Sequence, residues 1–173
     1  TTDVNSQATQ TRTLIKAIEQ AGCQTIWVWP NIDAGADDIS KELRRYRETK
    51  SNDWLRLVKN LESTLFIRLL VKANCLIGNS SSFVRDSSFT GTPVVLVGDR
   101  QSRREHGQNV ITCDMNMEQI SSAIKFQMNH GSYLTENLYG DGNASERIVG
   151  LIKSFKPYNQ KRLAYLDENL PNN

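Results

Sequence analysis

The sequence predicts an α/β domain, a mainly parallel sheet doubly wound by helices. Three features of the chain lead there. Short runs rich in Val, Ile and Leu alternate with segments of helical periodicity, as strands and crossover helices do when strung in turn. The runs are short and mostly apolar, the composition of strands covered on both faces. Gly22, Pro30 and Gly91 punctuate the boundaries between them. A chain of 173 residues is long enough for one substantial core. We expect residues 1–156 to form the domain and residues 157–173 a polar tail.

Residues 5–21 read as a helix, with Leu14, Ile15 and Ile18 on one face and Gly22 as its stop. TIWVWP (Thr25–Pro30) is a strand ended by a proline that cannot donate to a ladder. Asp37 or Asp38 is expected to cap a helix through Tyr46. WLRLVKN (Trp54–Asn60) alternates as a strand does, and STLFIRLLVKAN (Ser63–Asn74) is a helix with apolar residues on more than one face. CLIGN is a strand, SFVRDSSFT a short helix, and PVVLV and NVITC two more strands. Helices over residues 115–129 and 143–155 follow.

Composition excludes several classes. With 21 basic and 19 acidic residues interspersed, a broad nucleic-acid surface is not expected. No apolar run reaches the roughly 20 residues of a membrane span. The polar start Thr1-Thr2-Asp3 is no signal peptide, and the missing initiator Met suggests a fragment or trimmed product. Cys23, Cys75 and Cys113 cannot all pair and are expected as reduced, mostly buried thiols in a cytoplasmic protein. His106 and His130 are the only imidazoles and no Cys-x-x-Cys occurs, so a structural zinc site is not expected; no cofactor is expected either.

A doubly wound sheet binds ligands beyond the carboxyl ends of its strands. That directs the search to the turns Asn31–Asp38, Gly78–Asp86 and Gly98–Asn109. In the second, Ser80, Ser81 and Ser82 fall where a helix begins. The free N–H groups there suit an anion, and the hydroxyls add donors. Asp86, about one turn on, is placed to accept from two neighbouring hydroxyls such as those of a ribose. The alternative is plain helix capping, for which serine and an early acidic residue are equally suited. Neither Gly-x-Gly-x-x-Gly nor Gly-x-x-x-x-Gly-Lys-Ser/Thr is present. In the third turn, three arginines and His106 make either a phosphate clamp or a solvated basic loop. PNIDAG reads as a cleft turn or as an Asx-type turn, and GDGN as a tight helix entry with Asn143 as its cap. Trp27 and Trp29 share a face of their strand, for core or domain packing.

The stretches GNSS, VRD, GTPV and RQSRREHGQNV, in that order, resemble the nucleotide-binding half of the hydrolysing UDP-N-acetylglucosamine 2-epimerases. These are the bacterial sialic-acid-pathway enzymes and the epimerase part of the animal bifunctional epimerase/kinase. TTD at the start, WPNIDAG (Trp29–Gly35) and YGDGNASERIV (Tyr139–Val149) fit the same pattern. The resemblance implies a Rossmann-like domain, one half of a two-domain, glycosyltransferase-B-like fold with its active site between the halves. It implies that Ser80, Ser81 and Ser82 hold the UDP diphosphate, that Asp86 holds the ribose where relatives usually carry Glu, and that Arg104 with Glu105 beside it faces the diphosphate. Asn31 and Asp33 fall on the turn facing the interdomain cleft. Ser82-Phe83 and Glu62-Ser63 depart from the family pattern, which often has Gly and an aromatic residue there.

The implied reaction is elimination of UDP from UDP-GlcNAc followed by hydration of the glycal to ManNAc. The resemblance places the base and a histidine outside this chain, so no catalytic residue is expected within it. The partners implied are UDP or UDP-GlcNAc and the N-terminal domain of the same parent, with no nucleic acid and no membrane. An uncovered apolar cleft side would favour a homo-oligomer. A glycosyltransferase of the same fold and a stand-alone nucleotide-sugar sensor are the alternatives.

Overall fold

The computed structural model describes residues 4–30, 35–49 and 53–157. The expected tail beyond Pro157, and the turn residues Asn31 and Asp33, lie outside the described residues. The chain divides into two compact units, Thr1–Tyr139 and Gly140–Asn173.

In the first unit the order is α1 (Val4–Ala21), β1 (Thr25–Val28), α2 (Ala36–Thr49), β2 (Leu55–Val58), α3 (Ser63–Lys72), β3 (Leu76–Gly78), α4 (Ser81–Thr90), β4 (Val94–Val97), β5 (Val110–Cys113) and α5 (Met117–His130). Strands and helices alternate as the periodicity predicts, until β4 and β5 follow one another without a helix. Every strand pairing is parallel: β1 with β2, and β3 with β4 with β5. The architecture is a Rossmann-like α/β fold.

Alternation along β4 explains why helices sit on both faces. Val95 and Val97 point one way, into a core with Ala17 and Ile18 of α1 and Ile120, Ala123 and Ile124 of α5. Val94 and Leu96 point the other way, against Leu70 of α3, Val84 of α4, Leu76 and Val110. All four β4 residues are buried, which is what a central parallel strand requires. Trp27 packs at the margin of the α1–α5 core. Trp29 lies under the Arg44 guanidinium, 5.6 Å from ring centre to Cζ.

Local signals account for most boundaries. Gly22 takes φ 73°, and its N–H reaches the carbonyl oxygens of Ile18 and Glu19 to close α1. Asn116 caps α5, its Oδ1 accepting from the N–H groups of Glu118 and Gln119 at 3.0 Å each. Asp37 and Asp38, expected as caps, instead lie inside the first turn of α2, where the helix dipole favours a negative charge. The three cysteines form no disulfide; all are partly buried, Cys75 the most deeply.

The second unit contains α6 (Ala144–Ser154). Gly140 and Gly142 enter it with φ 123° and 86°, angles that only glycine adopts freely. Asn143 occupies the cap position without a side-chain capping bond, contrary to expectation. Its N–H instead donates to Asp141 Oδ1 at 3.0 Å, and Asp141 also pairs with Arg147. No helix among the described residues is long and apolar enough to cross a membrane.

Candidate functional site

β3 and β4 are parallel neighbours, with Gly78 opposite Leu96, so the turns that leave them emerge at the same edge of the sheet. The β3 turn is tight. Gly78 has φ 140°, after which Ser80 takes extended angles at the start of α4. Ser80 occupies the cap position but its hydroxyl makes no capping bond. A capping serine would spend its oxygen on an N–H of the first turn, and Ser80 does not. Among the described residues, the N–H groups of Ser80, Ser81 and Ser82 find no acceptor, and their hydroxyls have no partner. Ser80 is exposed, and Ser81 and Ser82 are half-buried. The result is a cluster of unspent donors at the positive end of a helix dipole.

Asp86 is half-buried and follows Ser82 by four residues on α4, so the two share a helix face about one turn apart. Its carboxylate has no hydrogen bond or ion pair among the described residues. The backbone around it is held firmly. Ser87 Oγ donates to the Phe83 carbonyl at 2.6 Å, and Asn109 Nδ2 donates to Ser87 Oγ at 2.8 Å. Asn109 Nδ2 also reaches the Thr92 carbonyl at 2.7 Å. Gln127 Nε2 donates to the carbonyls of Val94 and Asn109, and Tyr133 Oη donates to Gln127 Oε1. This buried amide network joins α4, β4, β5 and α5.

The β4 turn carries the arginines. Gly98 leaves the strand with φ 80°, and its N–H donates to the Cys113 carbonyl at 2.9 Å. Successive turns then bring Ser102 N–H to the Asp99 carbonyl and Arg104 N–H to the Gln101 carbonyl. Arg103, Arg104, Glu105 and His106 are all exposed. Exposure alone therefore does not distinguish Arg104 from Arg103. Beyond them the loop is fastened from the segment after α5: Tyr139 Oη donates to the Glu105 carbonyl, and Gln108 N–H donates to Glu136 Oε1 at 2.9 Å. His106 Nδ1 lies 3.2 Å from the Gly107 carbonyl, a local contact.

Of the sequence-predicted residues, then, Ser80, Ser81, Ser82 and Asp86 lie on one helix entry, with Arg104 and Glu105 on the adjoining loop. Asn31 and Asp33 lie outside the described residues. What joins the two turns is a residue not singled out from the sequence: Gln101, 5% exposed, whose Nε2 donates to the Asn79 carbonyl at 3.0 Å. Ser87, Asn109, Gln127 and Tyr139 were also missed, because single polar residues in apolar or loop context carry no periodic signal. No group of three or more His, Cys, Asp or Glu able to hold a metal occurs among the described residues. Cys75, just before β3, is pushed up to about 12 by burial, which keeps it a neutral thiol. Chemically the arrangement offers anion donors, a free carboxylate and cations, the parts for holding a phosphorylated diol.

Residues 1–153 match the family described as UDP-N-acetylglucosamine 2-epimerase. The chain is similar to a UDP-N,N'-diacetylbacillosamine 2-epimerase (hydrolyzing) of Legionella pneumophila, 31% identical over 91% of this chain and 41% of that protein. It is similar to a UDP-N-acetylglucosamine 2-epimerase of Neisseria meningitidis, 30% identical over 90% of this chain and 41% of that protein. A crystal structure of the Methanocaldococcus jannaschii UDP-GlcNAc 2-epimerase, in complex with UDP-GlcNAc and UDP, superposes with a TM-score of 0.65. Sequence identity to it is 16%, covering 87% of this chain and 41% of that one. The chain thus spans about two fifths of the length of these relatives.

Proposed function

The chain belongs to the UDP-N-acetylglucosamine 2-epimerase family, and from that premise we propose that it is the UDP-binding domain of a hydrolysing 2-epimerase. The diphosphate of a UDP-sugar sits on the N–H groups and hydroxyls of Ser80, Ser81 and Ser82. Arg104 supplies a cation from the adjoining loop, and Asp86 accepts from the ribose hydroxyls. Asn31, Asp33 and Glu105 belong to the cleft side of the same site. The observation that carries this reading is the unspent first turn of α4, with a free carboxylate one turn further along the same face.

In the full parent, the C1–O bond of the sugar breaks, its electron pair leaves with UDP and the C2 proton goes to a base. Water then adds across the resulting double bond, placing OH at C1 and a proton on the opposite face of C2. This domain stabilises the charge that builds on the leaving diphosphate, the step in which fixed donors count most. The base comes from the remainder of the parent, so the isolated chain binds without turnover. The sugar is UDP-GlcNAc or a further acetylated relative, since both kinds of substrate appear in the names of similar proteins. We assign the parent to the cytoplasm, where nucleotide sugars and unpaired cysteines coexist.

Calorimetry with UDP tests the proposal. The chain is expected to bind UDP, and Asp86→Ala to weaken binding by more than the exposed Asp53→Ala. Equal effects of the two, or absence of UDP binding, would overturn it.

A further inference from the structure

Gln101 is buried in the turn that follows β4, and its two amide atoms are treated differently. Nε2 donates to the Asn79 carbonyl at 3.0 Å. Oε1 is buried and has no hydrogen-bond partner among the described residues. A buried acceptor left unmatched is costly, and a hydrocarbon side chain of similar volume would fill the space without that cost. Among the described residues, what the amide contributes is its bond to the Asn79 carbonyl.

That bond acts on a particular peptide plane. The Asn79 carbonyl and the Ser80 N–H belong to the same planar trans peptide, in which C=O and N–H point in opposite directions. Holding the Asn79 oxygen toward Gln101 therefore turns the Ser80 N–H away from Gln101. Gly78 immediately before it, with φ 140°, supplies no side-chain restraint on that plane. The Gln101 carbonyl in turn receives the Arg104 N–H at 3.0 Å, so one residue fixes both the serine turn and the start of the arginine turn.

We propose that Gln101 is a positioning residue for the diphosphate site, aiming the Ser80 N–H and holding the loop of Arg104 in register with it. The proposal rests on the reading of that site given above. Gln101 touches no ligand, and its effect falls on the phosphate end of the nucleotide and not on the nucleoside.

The test compares UDP with uridine on the full chain by calorimetry, for the wild type, Gln101→Met and Gln101→Glu. Met keeps the volume and removes the donor. Glu keeps the shape and sets an acceptor against the Asn79 oxygen. The wild type is expected to prefer UDP. Both variants are expected to lose about ten-fold in UDP affinity, equivalent to about 1.4 kcal/mol, while uridine binding changes less than about two-fold. A general loosening of the fold would lower both ligands together, and that result overturns the proposal, as does an unchanged UDP preference in both variants. If one variant fails to fold, by circular dichroism, the other decides. If both fail, Gln101 is required by the fold itself and the proposal falls. A wild type with no preference for UDP over uridine is a different result: it removes the diphosphate site, and the role of Gln101 with it.

Discussion

Asn109 donates from Nδ2 to Ser87 Oγ across 2.8 Å, and both side chains are almost entirely buried. Ser87 is the residue after Asp86, so this bond sets the roll of α4 at the point where its free carboxylate projects. The same nitrogen holds the Thr92 carbonyl, and the Asn109 carbonyl receives Gln127 Nε2. Asn109→Ala therefore strips two buried acceptors of their donor at once. A loss of about 2–6 kcal/mol in urea unfolding is expected, from about 1–3 kcal/mol for each of the two buried groups left unpaired. Asn109→Asp is expected to be no milder, since it replaces the donor with a charge facing two oxygens. A loss below about 0.5 kcal/mol for Asn109→Ala would show the network to be incidental.

Two glycines with similar backbone angles are expected to differ sharply. Gly91 has φ 63°, and a Cβ there would lie 2.1 Å from the Tyr133 carbonyl oxygen. Tyr133 N–H donates to the Gly91 carbonyl at 2.8 Å, so the two segments are clasped and cannot part cheaply. Gly22 has φ 73°, and a Cβ there would meet nothing within 4 Å. Gly22→Ala is expected to cost about 1–2 kcal/mol, the left-handed penalty alone. Gly91→Ala adds backbone overlap and is expected to cost at least about 3 kcal/mol or prevent folding. Thermal unfolding of the two variants checks the contrast, and similar melting temperatures would contradict the clasp.

Gly91 was legible in the sequence as a helix stop, though its clasp to Tyr133 was not. That difference is general in this chain. Alternation and helical spacing report which face of an element is apolar, and they located every strand and helix of the described residues to within a few positions. That the sheet is covered on both faces was legible because its strands, Val94–Val97 among them, are short and mostly apolar. The serine turn was legible as a helix entry, because serine and Gly78 constrain the local chain directly. Whether Ser80 spends its hydroxyl on a cap was not legible, since that depends on rotamer and surroundings. Gln101, Asn109 and Gln127 were invisible for another reason. Each bonds a carbonyl between 17 and 33 residues away, and only the three-dimensional arrangement of the strands brings those carbonyls within reach.

Cys75 gives a pH prediction of definite sign. Its thiol is raised to about 12, chiefly by burial, against an ordinary value of 9.0. The folded state thus holds this proton more tightly than the unfolded state does. The contribution to stability is complete below about pH 9 and is lost as pH rises toward 12. Cys23 and Cys113 are shifted in the same direction. Urea midpoints are expected to fall between about pH 8 and about pH 10.5, with a shallower fall in Cys75→Ala. Alkylation with iodoacetamide at about pH 8, followed by mass spectrometry, should label Cys75 last, because only about one in ten thousand of its thiols is ionised there. Early labelling of Cys75 would contradict its burial.

The two arginines supply the sharpest test of the loop, because exposure treats them alike and only the proposed site separates them. Arg104 begins where its N–H is fixed to the Gln101 carbonyl, and Gln101 is itself fixed to the serine turn. A guanidinium carried from that point onto a diphosphate makes charge-assisted bonds worth about 1.5–3 kcal/mol. Arg104→Ala is therefore expected to weaken UDP binding by about 10- to 100-fold. Arg103→Ala is expected to change it less than about two-fold, as a solvated charge does. Arg104→Lys should fall between, keeping the charge while losing the fork that matches two phosphate oxygens. Raising the salt to about 0.5 M should narrow the gap between wild type and Arg104→Ala, since the pair is open to water and screened. Calorimetry of the three variants at two salt concentrations measures all of this. Equal losses for Arg103→Ala and Arg104→Ala would mean that the loop attracts UDP through its net charge and not through a placed side chain.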